Sequence, residues 1–158
     1  MRKNRKDSVQ NHYRLLVLDD DEMITLALRA YFEGCGYQVD IESNPLQAIE
    51  RIRQSDYDIL LLDFLMTPIC GDQVVEQIRQ FNHDLFIILL TGHKDLAPPV
   101  KTIRELDIQG YYEKSDRFDQ LELLVESCVK SIRQMKTIRS YRDGLDEILT
   151  YVPALMQK

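Results

Sequence analysis

The sequence predicts an α/β fold built on a doubly wound, five-stranded parallel sheet, and three observations predict it. Short, nearly continuous apolar runs recur at residues 15–18, 59–62 and 85–90, as expected of strands buried on both faces. Amphipathic stretches at helical spacing fill the intervals between them. Acidic, Thr and Lys side chains follow the runs instead of interrupting them. Strands alternating with helices imply crossover connections and a sheet covered on both sides, with ligands bound at the carboxyl ends of the strands.

The elements follow in order. Residues 1–13 carry Arg2, Lys3, Arg5 and Lys6 and read as a flexible, solvated basic tail, since no aromatic or structured partner accompanies the charge. The first strand, 15–18, leads into a helix over 23–32 with Ile24, Leu28 and Tyr31 at helical spacing, ended by Gly34 and Gly36. A weaker strand spans 37–41. Asn44 N-caps a helix over 45–53 that has Pro45 at its first position. The strand at 59–62 precedes a helix over 71–81 with Val74, Val75 and Ile78 on one side. The strand at 85–90 precedes a helix over 98–106, opened by a Pro-Pro pair that only a helix start tolerates. A weaker strand at 108–112 leads to a last helix from near Phe118.

With 158 residues and 44% hydrophobic content the chain can form one compact domain plus extra helix. A net charge of −6 disfavours direct nucleic-acid binding. Cys35, Cys70 and Cys128 show no metal-ligand spacing and read as reduced thiols. No apolar run reaches the length of a membrane span, and no secretory apolar region follows the basic start. The expectation is a soluble cytoplasmic protein with no membrane association. His12, His83 and His93 are scattered and read as surface residues.

Chemistry gathers at the predicted strand ends. Asp19, Asp20 and Asp21 follow the first strand, Asp63 the third, Thr91 and Gly92 the fourth, and Lys114 the fifth. In a parallel sheet these ends share one rim. Carboxylates crowded there repel strongly and must bind a cation or share protons. Oxygen-only ligands select a hard ion, Mg²⁺ or Mn²⁺. A Lys, a Thr hydroxyl, a metal and one free carboxylate oxygen together describe phosphoryl transfer onto an acid. Asp63 is the sole acid ending the central strand, which assigns it the nucleophile's role, while the acids after Leu18 lie on a turn and suit metal binding. Structural roles compete with each assignment. Asp19–Asp21 could cap a helix, Asp63 could pair with Lys114, Thr91 and Gly92 could simply turn the chain, and Tyr111 could merely pack.

Taken together, LLVLDDDE (15–22), LLLDFLMTPICGD (60–72), LLTG (89–92) and GYYEKS (110–115) resemble, in order and separation, the receiver domains of bacterial two-component response regulators. The resemblance runs from about residue 14 to 127 and implies the flavodoxin-like receiver topology. It implies that Asp63 is phosphorylated by a sensor histidine kinase or phosphotransfer protein. Mg²⁺ would be held by Asp20, Asp63 and the backbone carbonyl of Leu65, with Asp19 acting through water. Thr91 would bond a phosphoryl oxygen, Lys114 would pair with the phosphoryl group, and Gly92 would leave room for it. Tyr111 would be the switching aromatic that turns inward when the Thr91 hydroxyl moves. Two departures stand out. The family usually has Pro, in a cis peptide, where Ser115 follows Lys114; a non-Pro cis bond costs roughly 3 kcal/mol, which favours a trans peptide and a different setting of Lys114. The family's Pro four residues after the nucleophile is displaced to Pro68, while Gly71 keeps its usual place.

The receiver is expected over 14–130 and a helical extension over 131–158. Val125, Cys128, Ile132 and Met135 form one seam; Ile138, Tyr141, Leu145, Ile148, Val152 and Leu155 form another. The two join out of phase near 135–141, and Gly144 and Pro153 weaken the helix. A helix packing back on its own domain competes with a dimerisation or signalling helix, and the latter is preferred because the receiver core is complete without it. Two other functions compete. A haloacid-dehalogenase-type phosphatase needs an Asp where Leu65 stands. An adaptor working without phosphorylation is disfavoured by the intact acidic set. The bulk of Leu65 beside Asp63 predicts slow self-dephosphorylation.

Overall fold

The structure is a computed structural model that describes residues 12–92 and 100–156, the side chains of 152–156 excepted. Its elements are β1 (Arg14–Leu18), α1 (Glu22–Gly34), β2 (Gln38–Glu42), α2 (Pro45–Gln54), β3 (Ile59–Asp63), α3 (Gly71–Arg79), β4 (Phe86–Thr91), α4 (Val100–Glu105), β5 (Gly110–Glu113) and α5 (Phe118–Met156). All strands pair in parallel, in the order β2-β1-β3-β4-β5. The expected five-stranded doubly wound sheet is present.

The continuous apolar runs have a direct cause. Alternate residues of β1, β3 and β4 enter different cores. Leu15, Val17, Ile59, Leu61, Ile88 and Leu90 meet Leu28 and Phe32 of α1 and Leu121, Val125 and Val129 of α5. Leu16, Leu18, Leu60, Leu62, Ile87 and Leu89 meet Ala48, Ile49 and Ile52 of α2 and Val74, Val75 and Ile78 of α3. Each such Leu or Ile, buried whole, contributes roughly 1.5–3 kcal/mol. Both faces of the central strands are covered, so β3 and β4 are buried throughout and stay apolar until Asp63 and Thr91 end them.

Local signals set the helix ends. The Asp21 side chain caps α1, accepting from the Met23 N–H at 3.0 Å. At its other end Gly36 takes a φ of 99°, and the Tyr37 N–H reaches back to the Phe32 carbonyl at 3.0 Å, a left-handed stop that suits glycine. Asn44 caps α2 through the N–H groups of Leu46 and Gln47, with Pro45 at the first turn.

Tyr13, expected in the flexible tail, is instead buried in the first core, and its carbonyl accepts from the Gln38 N–H at 3.2 Å. The aromatic ring extends the β1 hydrophobic face by one residue. The basic residues Arg2 to Lys6, His93, and the Pro98 and Pro99 helix start lie outside the described residues; α4 is described from Val100.

The last helix, α5, has 39 residues and is about 58 Å long at 1.5 Å per residue. Leu121, Val125, Cys128, Val129 and Ile132 are buried, whereas every residue from 133 to 151 is exposed. The helix runs unbroken past residues 135–141, Gly144 and Pro153. Two contacts tether the start of its free part: Arg139 Nη2 stands 2.8 Å from Asp84 Oδ1, and the Lys136 ammonium lies 5.4 Å from the Tyr13 ring centroid. The ion pair is solvent-exposed and contributes about 0–1 kcal/mol.

Candidate functional site

The rim at the carboxyl ends of β1, β3, β4 and β5 gathers the predicted chemistry. Asp19 leaves β1 fully buried, its N–H bonded to the Glu42 carbonyl at 3.2 Å. Asp63 ends β3, only 4% exposed. Asp20 is exposed at the mouth. Carboxylate oxygens of Asp19, Asp20 and Asp63 lie within 4.8 Å of one another. The acidic triplet therefore divides its work: Asp19 and Asp20 turn to the site, and Asp21 caps α1.

Lys114 enters from the far side. Its N–H bonds the Thr91 carbonyl at 2.7 Å, continuing the β4–β5 ladder by one step. Its ammonium reaches Asp19 Oδ2 at 2.7 Å and Asp63 Oδ1 at 3.0 Å. Burial pushes Asp63 up to about pH 6, the Asp19 charge adds to this, and Lys114 partly offsets both. Burial opposes the charge on Lys114, yet its hydrogen bonds to Asp19 and Asp63 hold its pKa above the usual lysine value.

Three carboxylates against one ammonium leave two formal negative charges uncompensated. Asp19 Oδ1 accepts from the Asp21 N–H at 2.9 Å, whereas buried Oδ2 faces only the Lys114 ammonium, 2.7 Å away. An all-oxygen donor set with an under-satisfied buried lone pair and an excess of two negative charges fits a hard dication.

Thr91 ends β4, 2% exposed, and its hydroxyl donates to the Tyr112 carbonyl at 3.4 Å. Gly71 opens α3 against the end of β3. A Cβ there would lie 2.9 Å from the Asp63 carbonyl oxygen and from Phe64 Cα, so only glycine lets the Gly71 N–H reach the Phe64 carbonyl at 2.7 Å. A Cβ on Gly92 would meet nothing within 4 Å among the described residues. Leu65 is 43% exposed.

The Lys114–Ser115 peptide is trans; among the described residues the cis bond is Thr67–Pro68. Lys114 nevertheless reaches both acids. Tyr111 is 53% exposed, outside the gathered set. Its neighbour Tyr112 is buried, and its hydroxyl lies 2.8 Å from both Ser115 Oγ and the Arg117 carbonyl. Sequence reasoning passed over Tyr112 and treated Ser115 only as a departure. The signal was the period of two along β5, which sends adjacent tyrosines to opposite faces.

The family model described as response regulator receiver domain matches residues 15–126. The chain belongs to that family. This receiver is 29% identical over 119 residues to the transcriptional regulatory protein ZraR of Klebsiella oxytoca, covering 75% of this chain and 27% of the relative. It is 33% identical over 87 residues to the response regulator MprA of Mycobacterium ulcerans, covering 55% and 38%. The receiver thus spans well under two thirds of these curated relatives. Among solved structures, the response regulator TrrA of Thermotoga maritima, in complex with Mg²⁺ and BeF, matches with a TM-score of 0.66 at 30% identity, covering 73% of this chain and 98% of that one. The same regulator bound to the histidine kinase ThkA matches with a TM-score of 0.65 at 30% identity, covering 73% and 97%.

Proposed function

We propose that this receiver accepts a phosphoryl group on Asp63 from the phosphohistidine of a sensor histidine kinase or phosphotransfer protein, and later hydrolyses it. The observation that carries the proposal is the convergence of Asp19, Asp20 and Asp63 with the Lys114 ammonium at one strand-end rim. An Asp63 carboxylate oxygen attacks phosphorus as the phosphorus–nitrogen bond breaks, and that bond's electrons return to the imidazole. Lys114 exchanges its contact with Asp63 for a phosphoryl oxygen, stabilising charge as it spreads. The Thr91 hydroxyl, held by only a 3.4 Å bond to the Tyr112 carbonyl, turns to another phosphoryl oxygen, and Tyr111 follows it inward.

Asp20, Asp63 and the Leu65 carbonyl, with Asp19 through water, would hold Mg²⁺ or Mn²⁺, which supplies charge neutralisation to the transferring group. Among the described residues no helix is long and apolar enough to cross a membrane, and we place the protein in the cytoplasm beside its kinase. The free part of α5, with Ile138, Tyr141, Leu145 and Ile148 all exposed, serves as a dimerisation or signalling helix.

The phosphatase alternative lacks a second acid at Leu65, whose side chain cannot donate a proton. The phosphorylation-independent adaptor leaves the buried Asp19–Lys114–Asp63 arrangement without a purpose. Adding BeF₃⁻, a phosphoryl mimic, with Mg²⁺ tests the proposal: Thr91 and Tyr111 resonances should shift in wild type and stay put in Asp63→Asn. Unchanged wild-type spectra would count against it.

A further inference from the structure

Between Glu113, the last residue of β5, and Phe118, the first of α5, four residues lack regular structure, and Ser115, Asp116 and Arg117 among them are exposed. Lys114 stands at the head of this segment. Its ammonium must hold 2.7 and 3.0 Å contacts to two buried acids, yet exposed connectors of this kind move unless tied down.

The tie is a closed circuit of hydrogen bonds. The Tyr112 ring is buried, 7% exposed, in the core under α1 and α5. Its hydroxyl donates to the Arg117 carbonyl at 2.8 Å. That uses its single proton, so the Ser115 hydroxyl donates to the Tyr112 oxygen across 2.8 Å. The Arg117 N–H then donates to Ser115 Oγ at 3.1 Å. Every proton has an acceptor, and the circuit spans the connector from a fixed core ring. Tyr112 also presents its backbone carbonyl to the Thr91 hydroxyl.

We propose that Tyr112 and Ser115 are positioning residues that clamp the connector and thereby aim the Lys114 ammonium at Asp63 and the incoming phosphoryl group. The inference rests on the phosphoacceptor reading of Asp63. The clamp touches neither the phosphoryl group nor the metal ligands; it acts through Lys114. A displacement of about 1 Å at a group that stabilises transferring charge can cost on the order of 10²-fold in rate.

The test compares the 158-residue wild type, Tyr112→Phe, Ser115→Ala, their double variant and Ser115→Thr. Three quantities are measured: the rate of phosphorylation by acetyl phosphate, Mg²⁺ affinity by titration with the metal alone, and amide exchange at Arg117. Tyr112→Phe keeps the buried ring, and Ser115 is exposed, so folding is preserved. Each single variant is expected to be about ten-fold slower, and the double variant no slower than either, because both break one circuit. Mg²⁺ affinity should stay within about two-fold of wild type, since the acids are untouched. Arg117 exchange should rise in Ser115→Ala, and Ser115→Thr should restore the rate. If wild type is phosphorylated and the single variants match it, the positioning role falls while the receiver proposal stands. If rate and Mg²⁺ affinity fall together, the residues are merely structural and the role falls. If wild type takes no phosphoryl group at all, both proposals fall.

Discussion

The Lys114 ammonium stands 3.0 Å from Asp63 Oδ1 although β4 lies between their strands. The contact closes the rim like a bridge over the intervening strand, and Thr91 sits beneath it, its carbonyl fixing the Lys114 backbone. The charge on Asp63 is thereby linked to Lys114 after β5 and, through the Lys114 backbone, to Thr91 of β4.

Asp63 makes the metal-free fold sensitive to pH. In the unfolded chain an aspartate ionises near pH 3.9; in the fold Asp63 keeps its proton up to about pH 6. Between those values the folded state binds more protons, so stability from this group is present below the unfolded pKa and is lost as the pH rises through the folded one. Asp63→Asn removes the buried charge. In EDTA at about pH 8 the variant should be the more stable by on the order of 1–3 kcal/mol, with the difference closing near pH 4. Mg²⁺ should stabilise wild type more at the higher pH. Thermal melts at both pH values check this, and a wild type as stable as the variant at the higher pH contradicts it.

Lys114 already pairs with Asp19 and Asp63, so on the proposed reading it would compete with Mg²⁺ for them. Lys114→Ala should therefore tighten Mg²⁺ binding while slowing phosphorylation by about 10²–10³-fold, the usual cost of losing one charge-stabilising donor. Titration calorimetry and a phosphorylation time course read the two effects separately. Weaker Mg²⁺ binding would show that the ammonium and the cation do not share a site.

Leu65 lies two residues beyond Asp63 and is 43% exposed; on the proposed reading it would flank the phosphorylation site. Its bulk should shield the acyl phosphate from water and make self-dephosphorylation slow. Leu65→Asn should speed hydrolysis about ten-fold, which is about 1.4 kcal/mol of barrier. A wild-type lifetime of seconds that this substitution leaves unchanged would refute the shielding role.

The exposed side chains Ile138, Tyr141, Leu145 and Ile148 should pair two copies. Sedimentation equilibrium is expected to give a concentration-dependent dimer for wild type and a monomer for the Ile138→Asp, Leu145→Asp double variant. A monomeric wild type at high concentration leaves the helix to a different partner.

Much of this was legible in the sequence because the central strands are apolar on both faces, so the first polar residue after such a run marked the rim. Asp19, Asp63 and Thr91 were found that way, and Lys114 by its place one residue past the weaker fifth strand. Asp21 could not be told from Asp19 and Asp20 by composition, because a helix cap and a metal ligand demand the same carboxylate; only the turn direction separates them. The Tyr112 hydroxyl was missed for a related reason. A buried tyrosine in a strand looks like core until its oxygen is seen among Ser115 and Arg117. Tyr13 was placed in the tail because the apolar run that marked the first strand begins only at Leu15. The phase shift near 135–141 pointed to a disturbed helix, but main-chain bonding does not depend on which side chains share a face, and α5 continues through it.

The account turns on Asp63 carrying the phosphoryl group, and mass spectrometry after incubation with acetyl phosphate and Mg²⁺ tests that most directly. One phosphoryl addition is expected, labile to hydroxylamine, localised to Asp63, abolished by EDTA and absent in Asp63→Asn. No addition, or an addition that survives in Asp63→Asn, would contradict it.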